Sequence, residues 1–108
     1  MYKSNTGAVI ARGARFMPCT LTDDNSGKTY EINVKEPKLK VYKKFEALND
    51  SDAVEDIINV TAAVLNSNKE NIEITAEFVE DNFTLAEIAQ FFEDFSNWLS
   101  EARASNPN

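Results

Sequence analysis

Histidine is absent from this 108-residue chain, cysteine occurs once, and glycine and proline occur three times each. Without histidine the chain lacks the commonest general base and the commonest transition-metal ligand. No Ser or Thr can be activated through an imidazole relay. A single cysteine, Cys19, excludes an intrachain disulfide and a cysteine-rich metal site, and a reducing compartment is the natural fit. Three scattered glycines build no phosphate-binding loop. Long apolar runs are missing too: nothing approaches a membrane span, and Ala8 to Ala11 is too short for the apolar core of a secretory signal. These absences point to a cytoplasmic protein with no cofactor, no metal and no membrane partner.

What is present is enough for one folded domain. Hydrophobic residues make up 43% of the chain and charged residues 27%, and a chain of this length buries a real core without staples. Net charge is −7, unevenly spread. Residues 1–44 hold nine Lys/Arg against four Asp/Glu, and residues 45–108 hold two against fourteen. Most of the surface therefore repels phosphate, which argues against a nucleic-acid partner. The basic and acidic parts are expected to face each other, within one chain or between neighbouring copies.

The pattern along the chain predicts an α+β, mostly α fold: an N-terminal β-hairpin, then three to four helices, the last long and amphipathic. Residues 1–15 are small, polar and basic, and read as a flexible segment. Residues 16–104 read as a single domain, and 105–108 as a tail. Leu21 and Thr22 lead into Asp23-Asp24-Asn25-Ser26-Gly27, strong turn chemistry. The alternation of Tyr30, Ile32 and Val34 with Glu31, Asn33 and Lys35 then marks a half-buried strand. Pro18 suggests that the preceding strand is irregular or at an edge. Asp23, Asp24 and Asn25 lack the spaced ligands and closing Glu of a calcium loop.

Pro37 stands where a helix could begin. Val41, Phe45 and Leu48 follow a helical face with Leu39 and Tyr42 at its margin, although "KLKVY" also alternates as a strand would. Asn49, Asp50, Ser51 and Asp52 supply caps for a helix carrying Val54, Ile57, Ile58, Thr61, Val64 and Leu65. That helix stops at Asn66-Ser67-Asn68. Thr75 caps a brief helix over Ala76 to Asp81, with Ile74 and Val79 spaced as a hydrophobic staple. Thr84 and Glu87 have capping-box spacing, and Phe83 and Ile88 staple spacing, at the start of the last helix. Its main stripe is Leu85, Ile88, Phe92, Phe95, Leu99 and Ala102.

Nothing in the sequence points to an enzyme. The carboxylate pairs Glu55-Asp56, Glu80-Asp81 and Glu93-Asp94 are adjacent on helices and point about 100° apart. Cys19 reads as a small buried hydrophobe, and Lys69 lies in a polar loop rather than the desolvated pocket a nucleophilic lysine needs. The aromatic excess of the last helix asks for another explanation. Phe91 and Trp98, seven residues apart, widen the stripe on one flank. Either the core covers them, or they face a partner protein. The candidate protein-interaction residues are Phe91, Phe92, Phe95, Trp98 and Leu99.

The order "GKTYEINV", a lysine-spiced segment ending "FEALND", the acidic "DAVEDIINVTAAVLN", and "ITAEFVEDNFTLAEIAQFFEDFSNWL" resembles the tail assembly chaperones of siphovirus-like bacteriophages and prophages of Gram-positive bacteria, over residues 27–102. The resemblance implies a non-enzymatic protein that coats the long, helical tape measure protein in the host cytoplasm and keeps it soluble. It also implies recruitment of tail tube subunits, absence from the mature virion, and in many members a longer frameshifted form. Coating a long polymer calls for many copies, and the basic and acidic halves suit head-to-tail stacking as a homo-oligomer. Two other classes compete with it. One is an acidic DNA mimic that inhibits a nuclease, motivated by the charge after residue 44. The other is a structural tail or head-completion protein retained in the virion.

Overall fold

The computed structural model describes residues 1–4, 16–48 and 53–104. It is α+β and mostly helical: a three-stranded antiparallel sheet followed by four helices. The strands are β1 (Tyr2–Ser4), β2 (Phe16–Thr22) and β3 (Thr29–Lys35), and the helices are α1 (Leu39–Ala47), α2 (Val54–Asn66), α3 (Ala76–Asn82) and α4 (Leu85–Ala104). The expected caps at 49–52, residues 5–15 of the N-terminal segment and the tail at 105–108 lie outside the described residues.

The hairpin forms as its pattern predicts, and period-two burial sets its inner face. Met17, Cys19 and Leu21 of β2 and Ile32 and Val34 of β3 are buried. The turn is held locally: the Asp23 carboxylate accepts from the backbone N–H groups of Asn25 (2.9 Å) and Ser26 (3.4 Å). Gly27 adopts φ 75°, a left-handed conformation that glycine takes without steric penalty.

Two features of the sheet depart from the sequence expectation. Residues 2–4, read as part of a flexible segment, form a third strand, so β2 is central with order β1-β2-β3. Pro18 therefore lies in a regular central strand, opposite Asn33. The backbone of Asn33 shows why this is tolerated. Its N–H donates outward to Glu70 (2.8 Å) and its carbonyl accepts outward from Lys69 (2.9 Å). Pro18 and Asn33 thus form a non-hydrogen-bonded pair, and the proline removes no bond to β3. Its nitrogen faces the β1 side, where the described pairing ends at Cys19.

The same outward bonds cover the free edge of β3. Val34 bridges to Asn68, and Lys35 donates to the Ser67 carbonyl, so the loop after α2 shields an edge otherwise open to pairing. The Asn33 amide also donates to Glu70 (2.7 Å). Slight desolvation opposes ionisation of that carboxyl, but the bonds from Asn33 outweigh it and hold its pKa below the ordinary value.

Helices α3 and α4 begin where local chemistry directs, whereas α1 and α2 begin after Lys38 and Ala53, which make no side-chain cap, and the α2 N-cap is Ala53 rather than one of the expected residues 49–52. Thr75 accepts from the Phe78 N–H (3.0 Å), and the staple pair Ile74 and Val79 is buried. At α4 the capping box closes: Thr84 N–H donates to Glu87 (2.9 Å), and Glu87 N–H donates to the Thr84 hydroxyl (3.1 Å). The second Glu87 oxygen accepts from Tyr2 N–H (3.0 Å), so one side chain caps a helix and anchors β1. Thr84→Ala should cost about 1 kcal/mol, read as a lower urea midpoint with an unchanged slope. The segment "KLKVY" resolves as helix, with Val41, Phe45 and Leu48 half-buried and Leu39 80% exposed.

The core lies between the sheet's inner face and helices α2 and α4. Cys19 sits inside it at 0% exposure, and burial pushes its thiol pKa up to about 12, with Glu70 and Asp94 adding smaller repulsions. The thiolate is the reactive form. A thiol reagent at neutral pH should therefore label Cys19 only at the rate of global opening, and within the dead time once urea unfolds the chain. Rapid labelling of the native protein would contradict this placement.

Candidate protein-interaction site

The residues that carry chemistry stay apart. Among the described residues no group of three or more His, Cys, Asp or Glu side chains could hold a metal ion. Glu55, Asp56, Glu80, Asp81 and Glu93 are exposed. Asp94 is half-buried and structural, accepting from the Tyr2 hydroxyl (2.8 Å) and the Gln90 amide (2.9 Å). Lys69 lies over the Phe16 ring at 5.3 Å. Among the described residues no helix is long and apolar enough to cross a membrane.

The aromatic helix is rotated relative to the expected stripe. Phe91 is 0% exposed and Trp98 2%, with Phe95 and Leu99 buried beside them. The face that enters the core is Ile88, Phe91, Phe95 and Trp98 with Leu99. Leu85, expected at its head, is 66% exposed, and Phe92 is only half-buried. Of the two alternatives for Phe91 and Trp98 the structure takes the core one, and Phe95 and Leu99 lie in the core beside them, so none of the four presents a surface to a partner in this conformation. β1 supplies the physical reason on the Phe91 flank. Tyr2 packs edge-on to Phe91 (centroids 5.3 Å) and stacks on Phe83 (5.9 Å).

Of the five candidates, Phe92 alone remains within reach, and the structure gives it new neighbours. It meets the edge of Phe45 at 5.4 Å, and Phe45 also meets Phe95 at 5.1 Å. Phe45, Leu48, Ile57, Phe92, Glu93 and Ser96 line one hollow of about 330 Å³ between α1, α2 and α4. Lys44, Ala47, Leu48, Asp56, Asn59 and Val60 line a second of the same size between α1 and α2. Leu48 is common to both. The floor is aromatic and aliphatic, and the rims are charged: Lys44 on α1, Asp56 on α2 and Glu93 on α4. Such a site can take apolar side chains from a partner and orient them by charge.

Phe45, Leu48 and Ile57 were legible as helix-face residues but not as a site. The missing fact is that α1 is thinly docked: none of its residues is fully buried. Its lysines Lys38, Lys40, Lys43 and Lys44 are exposed and make no ion pair among the described residues. No protein-family model, no curated protein and no solved structure matches this chain.

Proposed function

We propose that this chain is a tail assembly chaperone of the siphovirus-like phage type, which binds the helical tape measure protein in the host cytoplasm and leaves before the virion is complete. The observation that carries the reading is the half-covered aromatic site between α1, α2 and α4, set in an acidic chain. A long helical client exposes apolar stripes, and a groove with an apolar floor and charged rims is how one helix face is held by another protein. The order of parts over residues 27–102 supports the same reading. Net charge of −7 keeps client-loaded copies apart from one another. Before a client is loaded, the α1 lysines, which make no ion pair among the described residues, favour stacking of copies, with the acidic face of one against the basic helix of the next.

The test is a pull-down of the tagged chain from cells expressing the whole tail gene cluster, with co-purifying proteins identified by mass spectrometry. A very long helical protein in the eluate is the expected result, lost on Phe92→Ala. A basic nuclease in its place would overturn the reading in favour of a DNA mimic. Presence of the chain in finished particles would instead make it a structural component.

A further inference from the structure

Helix α1 is a poor helix in isolation. It has nine residues, its N-cap Lys38 makes no side-chain cap, and its first turn holds no acidic residue. Helices this short do not hold alone in water. Lys38 and Lys40 place positive charge at the end of the helix dipole where negative charge is favoured. Docking therefore holds α1 in place, and the docking is thin: Val41, Tyr42, Phe45 and Leu48 are all half-buried and none is fully covered.

The seat beneath it is better built. Ile57 and Phe92 project from two longer helices, Phe95 below them is 0% exposed, and the Phe45 ring sits edge-on to both phenylalanines. The seat's own walls are acidic, with Asp56 across one hollow and Glu93 on the rim of the other. From Glu70 to Ala102 the chain has no Lys or Arg. α1 is itself a sample of what fits: a short amphipathic helix with apolar residues at the spacing of Val41, Phe45 and Leu48 and lysines on its flanks.

We propose that the face of α2 and α4 under α1 is the client-docking surface, and that a lysine-bearing amphipathic helix of another protein displaces α1 from it. The proposal rests on the chaperone reading and names the partner chemistry of that same site. Charge complementarity selects the occupant, since an acidic helix would meet Asp56 and Glu93. Helices α2 and α3 of a second copy carry no Lys or Arg, and α4 carries only Arg103, so among the described helices of a second copy α1 alone matches the seat.

Two synthetic amphipathic peptides test this on the full chain. Both carry leucine at the α1 spacing, one with lysine flanks and one with glutamate flanks, and binding is followed by fluorescence anisotropy. The lysine peptide should bind at least tenfold tighter. Phe45→Ala, which loosens α1, should tighten that binding severalfold, and Lys38→Asp, which caps α1, should weaken it. Hydrogen exchange of the wild-type chain needs no variant: saturating lysine peptide should speed exchange of the amides in Leu39–Ala47.

Weaker binding by Phe45→Ala would overturn the proposal, because Phe45 would then belong to the docking surface instead of covering it. Equal or tighter binding of the glutamate peptide, binding of neither peptide, or an unchanged α1 exchange rate would overturn it as well. So would dimers in sedimentation that disappear when α1 is tethered, which would identify a second copy as the occupant. If these results fail while the pull-down still captures a long helical protein, the cover is wrong and the chaperone reading stands. Peptide displacement without that capture would separate them the other way.

Discussion

Trp98→Ala should destabilise the chain by about 3–5 kcal/mol, the range for truncating a fully buried large aromatic. The indole is 2% exposed and packs against Phe95 (centroids 5.9 Å), which is itself 0% exposed and stacked near Phe91 at 6.0 Å. Removing it opens a cavity beside Phe95, a ring already held in place by Phe91 and Phe45. Urea unfolding followed by far-UV circular dichroism measures this, since Trp98 is the only tryptophan and fluorescence is lost with it. Phe92→Ala is the informative partner. Phe92 is half-buried, so its loss should cost only about 1–2 kcal/mol and leave a folded protein that no longer captures the proposed helical client. A small loss for Trp98→Ala with abolished capture would reverse the assignment and return the indole to the interface.

The contrast between these two residues shows where sequence reasoning ran out. The starts of α3 and α4 were legible because capping is local: Thr84 and Glu87 are three residues apart, and the two bonds they exchange need nothing else from the chain. The hairpin was legible for the same reason, with alternation on either side of a turn that bonds to itself. β1 was not. It is three residues long, and its partners Cys19 to Leu21 are far along the chain, so neither periodicity nor turn chemistry announces it.

One missed strand then left a second question open. Tyr2 covers the Phe91 flank of α4, and without β1 the sequence could not decide whether the core or a partner covers it. A stripe spaced 3 and 4 fixes which residues share an arc, but a neighbouring element decides which edge of the arc faces inward. The candidate site moved accordingly from the middle of the α4 stripe to its margin at Phe92. There it joins Phe45, Leu48 and Ile57, whose half-burial depends on how closely α1 docks, a tertiary property with no local signature.

Asn68→Asp should destabilise the chain by about 3–5 kcal/mol at pH 7, the scale of an uncompensated buried charge. Sequence alone marks Asn66-Ser67-Asn68 as the end of α2, but Asn68 does more than end a helix. It is 1% exposed, its amide donates to the carbonyls of Leu65 and Ile72 (2.8 Å each), and its oxygen accepts from the Ile72 N–H (2.9 Å). These bonds shape the loop whose backbone covers the edge of β3. Aspartate keeps the shape and the accepting oxygen, but turns a double donor into a carboxylate facing two carbonyl oxygens. Burial and repulsion both disfavour its charged form, so the introduced carboxyl has a folded-state pKa above its unfolded value of about 3.9. The sign follows by linkage. Below about pH 4 the carboxyl is protonated in both states and donates to one carbonyl, so the variant recovers much of the wild-type stability. As pH rises the unfolded chain ionises first, and the deficit grows until the folded carboxyl also ionises. Asn68→Ala provides the control, because it leaves the same carbonyls unpaired without adding a charge, and its deficit should be nearly independent of pH. Urea titrations of wild type and both variants at pH 4 and pH 7 separate these cases. An equal deficit for Asn68→Asp at the two pH values would mean that the lost amide donors, and not a buried charge, set the cost.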